Sequence, residues 1–209
     1  MIKTLRTKGL ALRHWRTIGQ QLGFSIDPAS VSLFKILALG LYEEEKLKII
    51  KNISDIAQKE WAVSQALEQL DREMKGVEFE FETAPDNETK LCKGIPDIMS
   101  RFEEFFLRVN VLKTNPHMKN FVEKLHEIEK TVKSVMELLD EWTIFQRNWL
   151  YLNGIFAKSE ISKQLNTEVK HFSNLDFIYK HTMKQILAQP QVFRIAHREN
   201  FLTQLKKLN

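Results

Sequence analysis

Cys92 is the single thiol among 209 residues, and no histidine stands near it in the sequence. A thiol becomes a nucleophile when a neighbouring base or cation lowers its pKa, so Cys92 is not expected to be one. The six histidines are scattered, without the i, i+4 pairing that would put two ligands on one helix face. No H-E-x-x-H occurs, and none of the seven glycines leads into a Lys-Ser or Lys-Thr pair, so a phosphate-cradling loop is missing. G-x-S-x-G is also absent. Asn52-Ile53-Ser54 and Asn87-Glu88-Thr89 match the glycosylation sequon, which is used only in the secretory route. The expectation is a segment that is not an enzyme, with no catalytic, metal or cofactor-binding residue.

What remains is the chemistry of holding. The run Trp142 to Phe156, W-T-I-F-Q-R-N-W-L-Y-L-N-G-I-F, gathers aromatic surface that no folded chain leaves in water without a use. Two polar residues interrupt otherwise apolar stripes: Glu60 and Gln146. A carboxylate on such a stripe either finds a partner or keeps its head group wet, because burying it alone is costly. A polar residue at such a position also weakens local packing or fixes its register.

Long helices must position these residues. Residues 10–22 predict a short amphipathic helix closed by Gly23, and Asp27-Pro28 opens a segment leading to a compact helix over 31–42. From Glu43 to Lys75, Ile49, Ile53, Ile56, Glu60, Val63, Leu67, Leu70 and Met74 recur in alternating steps of four and three, a heptad seam. Gly76 ends that helix. Val77 to Glu82 alternates with a period of two, and with the turn at Ala84-Pro85-Asp86-Asn87 it predicts a β-hairpin over about 77–92. A helix over 95–113 follows. Asn115 caps the next, with Pro116 in its first turn. That helix carries the longest seam: Met118, Phe121, Leu125, Ile128, Val132, Val135, Leu139, Trp142, Gln146 and Trp149. Gly154 is expected to break it. Ser159 then caps a short helix to Leu165, and helices follow near 167–187 and 191–208.

The fold class is therefore all-α: an elongated bundle of long antiparallel helices with one small β-hairpin. We expect a single segment over 1–209, with sub-bundles at about 10–75 and 95–209 and the hairpin between them. Composition fits this, with 43% hydrophobic and 28% charged residues and few glycines and prolines. One cysteine rules out a disulfide framework and fits a reducing compartment. The net charge of +4 gathers at the two ends, and the first acid is Asp27. Such an acid-free start matches a mitochondrial transit peptide, although basic helix ends explain it more simply. The basic residues form no dense block, so nucleic acid is not an expected partner, and no apolar run is long enough for a membrane.

The order of motifs resembles the linker region of dynein heavy chains. It runs from Arg13-His14-Trp15, through Ala57-x-Lys59-Glu60, to the Trp142, Gln146, Trp149, Tyr151, Leu152, Gly154, Ile155, Phe156 segment. It continues through Ile161, Gln164-Leu165, Glu168 and Phe172, covering roughly residues 10 to 187. Asn166 stands where the family usually has proline, and Met74 where tryptophan is common. The family's linker is longer than this chain, so the resemblance implies a piece of it. It also implies a lever lying across the ATPase ring of the same heavy chain, touching microtubules only indirectly and serving other dynein subunits. Gly76, Gly94 and Gly154 would be its places to hinge. Cytoplasm and cytoskeleton, with the axoneme of a cilium, are the implied locations. The rival expectation is a stand-alone helical tether that binds partner helices.

Overall fold

A computed structural model describes residues 2–25, 32–156, 166–198 and 200–209. Helix dominates, and among the described residues one two-stranded antiparallel sheet interrupts it. The chain divides into two compact units, residues 1–69 with 112–122 and residues 70–111 with 123–209.

The first unit begins with α1 (Ile2–Leu5) and α2 (Leu12–Leu22). Gly23 closes α2 as expected: it takes φ 77°, and the Phe24 amide reaches back to Gly19 O at 3.0 Å. The compact helix is shorter than expected. It forms α3 (Leu33–Ala38), because Gly40 turns left-handed at φ 60° and the Leu41 amide closes onto Ile36 O. Trp15 and Ile18 of α2, Ile36, Leu41, Ile50 and Ile53 form the core of this unit.

α4 (Glu44–Lys75) starts with Glu44 and Glu45 and ends with Arg72 and Lys75, charges that suit the helix dipole at each end. In the first unit its buried residues are Ile50, Ile53, Ser54, Ala57, Glu60, Val63 and Leu67. The seam therefore differs from the expected one at its start: Ile49 is only half-buried and Ile56 is exposed, while Ile50 and Ala57 face inward. Ile50 and Ile53 pack with Trp15, Ile18, Ile36 and Leu41, and the segment before α2 lies against α4 beyond them. Gly9, at φ 97°, sits so close to α4 that a Cβ there would come 2.6 Å from Ala57 O and 2.4 Å from Trp61 Cβ. That approach requires glycine at position 9, where any side chain would run into α4. A 3₁₀ turn, Pro116–Phe121, completes the unit, and its cap Asn115 accepts from the His117 amide at 2.9 Å.

The second unit holds the hairpin. β1 (Glu80–Thr83) pairs with β2 (Lys90–Lys93) in the register Glu80 to Lys93. Asp86 builds the turn by accepting from the Glu88 and Thr89 amides, and Asn87 takes φ 60°. Burial works against the Asp86 charge, yet those amides, the Thr89 hydroxyl and Asn153 hold its carboxyl below the usual value. Residues 77–79 extend the hairpin by lying beside 190–192. Such support is what a lone hairpin needs.

α5 (Ile95–Lys113) buries Ile95, Ile98, Phe102, Phe105 and Val109, while Leu112 at its end is half-buried. α6 (Val122–Phe156) is 35 residues long and buries Leu125, Ile128, Val132, Val135, Leu139, Trp142 and Trp149 of the expected seam. Leu138 and Phe145 are buried as well, which widens the seam into a full face. Gly154 does not break α6. The helix passes through it to Phe156, Gly154 keeps a negative φ, and nothing stands within 4 Å of where its Cβ would be. It is tolerated as an exposed helical glycine, and a hinge at that position is not seen. α7 (Asn166–Ala188) buries Tyr179, Met183 and Ile186. The expected helix over 191–208 is two: α8 (Val192–Ala196) and α9 (Phe201–Leu208), divided where Asn200 turns left-handed at φ 61°. The expected openings at Asp27-Pro28 and Ser159, and the short helix to Leu165, lie outside the described residues.

Candidate functional site

Each unit contains a polar side chain on an apolar seam, and each has become a node that gathers distant segments. In the first unit this is Glu60, whose side chain is 12% exposed. Arg13 bonds Glu60 Oε2 through Nη2 and through Nε at 3.1 Å. The Ala11 amide donates to His14 Nδ1 at 3.0 Å, so the ring hydrogen sits on Nε2 and is given to Glu60 Oε2 at 3.1 Å. Asn120 Nδ2 donates to the other oxygen, Oε1, at 3.0 Å. One carboxylate thus ties α2 and the 3₁₀ turn to α4. Nearby, the Ser54 hydroxyl donates to Thr4 O at 3.0 Å and Lys8 lies over the Trp61 ring. Residues 4–14 are strapped to α4 along its length from 54 to 61.

In the second unit the node is Gln146. Its Oε1 accepts from the Cys92 amide and its Nε2 donates to Cys92 O, both at 2.9 Å. The side chain therefore satisfies β2 as a neighbouring strand would. Tyr179 lies between two indoles, stacked on Trp149 at 4.1 Å and 6° and on Trp142 at 5.6 Å and 12°. Its hydroxyl is 3.1 Å from Gln146 Oε1 and 3.2 Å from Lys90 O. The Trp149 indole donates to Asp176 at 3.0 Å. Trp142 Nε1 is the buried side-chain atom left without a hydrogen-bond partner among those described.

The thiol beside the second node is not activated. Burial pushes the Cys92 thiol up to about 12, against a smaller opposing effect of the Trp142 indole, and a neutral thiol is not a nucleophile. Burial, with the Cys92 and Asp86 charges adding to it, also holds the Tyr179 phenol above its usual range. No group of three His, Cys, Asp or Glu among the described residues is placed to hold a metal.

The structure joins Arg13, His14 and Glu60, which stand apart in sequence, and places Trp15 in the core. It joins Trp142 and Trp149 through Tyr179, beside Gln146. Phe156 stacks on Phe172 at 5.1 Å. Leu152 and Ile155 are half-buried, while Tyr151, Gly154 and Glu168 are exposed. Asn120, Tyr179 and Asp176 were not foreseen. No periodic signal marks them, because their importance comes only from residues 60, 33 and 27 positions away.

Comparison with known proteins places this arrangement. All of residues 1–209 match the family described as dynein heavy chain, N-terminal region 2. Over its full length the chain is 26% identical to the dynein axonemal heavy chain 1 of Homo sapiens and 28% identical to the dynein heavy chain-like protein 1 of Plasmodium falciparum. Over 94% of its length it is 27% identical to the cytoplasmic dynein heavy chain of Drosophila melanogaster. It spans only 4 to 5% of each of these relatives. With the whole chain matched, and with Arg13, His14 and Glu60 in one node and Trp142, Gln146 and Trp149 in the other, the chain belongs to the dynein heavy chain family, in its N-terminal region.

Proposed function

We propose that this chain is a mechanical linker segment of a dynein heavy chain, a lever that passes ATP-driven change in the motor ring to microtubule-based movement. The observation that carries this is the match of all 209 residues to the N-terminal region of dynein heavy chains. The structure supports it by its materials. Helices of 32, 35 and 23 residues are continuous, and the two buried nodes pin distant segments onto them. Continuous helices of that kind carry load, and catalysis is left to the ATPase ring of the same heavy chain. That ring is the intramolecular partner, other dynein subunits are further candidates, and microtubules are met only through the ring. The location is the cytoskeleton, with a ciliary axoneme as the expected setting. Among the described residues no helix is long and apolar enough to cross a membrane.

The test uses a whole heavy chain that contains this segment. A dye on exposed Leu107 and a second on the ATPase ring report distance by energy transfer. A lever changes the transfer efficiency between ATP-bound and ADP-bound states. One efficiency in all nucleotide states overturns the proposal.

A further inference from the structure

The hairpin has an open edge whose hydrogen-bonding groups are already used for strand addition by the chain itself. Ala84 donates to Thr89 O at 2.8 Å, and the register continues to Glu80 opposite Lys93. Hydrogen-bonded pairs alternate along an antiparallel ladder, so residues 80, 82 and 84 bond toward β2. The N–H and C=O groups of Phe81 and Thr83 then point to the opposite edge. On that same edge the Phe79 amide donates to Pro190 O at 2.9 Å and the Val192 amide to Val77 O at 3.0 Å. This second ladder stops at Phe79 for a plain reason: one step earlier, the chain is in the last turn of α7, where the Gln189 amide bonds back to Gln185 O and Ile186 O. Among the described residues nothing takes the main-chain groups of Phe81 or Thr83, and Glu80, Glu82 and Thr83 are exposed.

Charge selects what fits there. Glu78 is met by the Gln191 amide at 2.8 Å. Glu80 and Glu82 make no ion pair among the described residues; Lys93 stands opposite Glu80 in the register, and Leu91, not a cation, opposite Glu82. Asp86 and Glu88 follow in the turn. We propose that the β1 edge at residues 80–84 takes an extended segment of another polypeptide, with Lys or Arg at alternate positions facing Glu80 and Glu82. The added strand continues the line of residues 190–192, with main-chain bonds at Phe81 and Thr83 giving affinity and the glutamates giving selectivity. A second copy of this hairpin brings the same glutamates to the pairing and is repelled. Charges also guard edges against unwanted pairing, which makes the experiment one between guarding and recruiting.

The probe is the blocked peptide Lys-Val-Lys-Val-Lys, added to the 209-residue chain while amide exchange is followed. The expected result is slowed exchange at Phe81 and Thr83. A peptide N-methylated on its bonding edge keeps its charge but loses this effect. Glu80→Lys with Glu82→Lys weakens binding by about tenfold or more. Thr83→Pro, which removes one edge donor without changing charge, abolishes the protection at Phe81 and serves if the double variant misfolds. Unchanged exchange at residues 81 and 83 overturns the proposal. Equal binding by the N-methylated peptide does so too, because the glutamates would then be only a charged surface.

Discussion

Glu60 and Gln146 occupy equivalent places, one polar residue on the apolar seam of a long helix, yet they are satisfied in opposite ways. Glu60 carries a charge, and a buried charge needs a counter-charge. Arg13 supplies it while remaining 47% exposed, so the first node sits where one partner can stay in water. Gln146 is neutral and offers a donor and an acceptor in the geometry of a peptide group. It can lie among Trp142, Trp149 and Tyr179 and close the edge of a strand. The difference teaches where each node is fragile. Loss of the charge frees an Arg13 that water can reach, although His14 stays buried, whereas loss of the amide strands Cys92 groups that water cannot reach.

The largest test of that contrast is Trp149→Ala. It removes a buried indole, leaves Tyr179 stacked on one side only, and deprives Asp176 of a donor. We expect a loss of roughly 3–5 kcal/mol in urea unfolding; a loss under about 1 kcal/mol means the aromatic stack is not a core. Next come the two nodes compared directly. Gln146→Leu abandons the Cys92 amide and carbonyl and is expected to cost about 2–4 kcal/mol. Glu60→Gln keeps the shape and one acceptor oxygen, loses an ion pair whose Arg13 side is 47% exposed, and leaves the Asn120 amide to turn over, so it is expected to cost about 1 kcal/mol. The reverse order, measured by the same unfolding experiment, breaks the contrast.

A smaller effect follows from Cys92. Its thiol is raised from 9.0 to about 12 in the folded state, which thus holds the proton more tightly than the unfolded chain does. That contribution is complete below pH 9 and is lost as the pH climbs from about 9 to 12, so stability falls across this window. Cys92→Ala should flatten the fall without removing it, since Tyr179 is raised in the same direction from 10.0. Identical slopes for the two proteins would show that the thiol is not buried as described. The smallest effect is a gain. Gly154→Ala adds a methyl into open space on a helix and should stabilise by about 0.5–1 kcal/mol. A loss in thermal unfolding would mean that residue 154 does need to bend.

Gly154 also shows where local inference went astray. A glycine near the end of an apolar stripe is a common stop, but α6 continues because no left-handed turn forms there. Asn200, by contrast, made a break that no pattern announced. The face of α4 was found to within one residue, its start shifted from Ile49 and Ile56 to Ile50 and Ala57 by packing on α2 and α3 residues that lie outside the helix.

The sequence by itself determined what depends on short spacing. The 3.6-residue recurrence set α4, α5 and α6, alternation over 77–82 set the hairpin, and the order of the aromatic run set the family. It also marked Glu60 and Gln146 as the odd residues on their seams. Which groups would meet them was decided only by the tertiary structure. Arg13, His14 and Asn120 reach Glu60 across 46 to 60 residues, and Cys92 lies 54 from Gln146. A side chain's periodicity tells which way it faces, but its partner is chosen by the packing of other elements, and one chain alone carries no periodic trace of that choice.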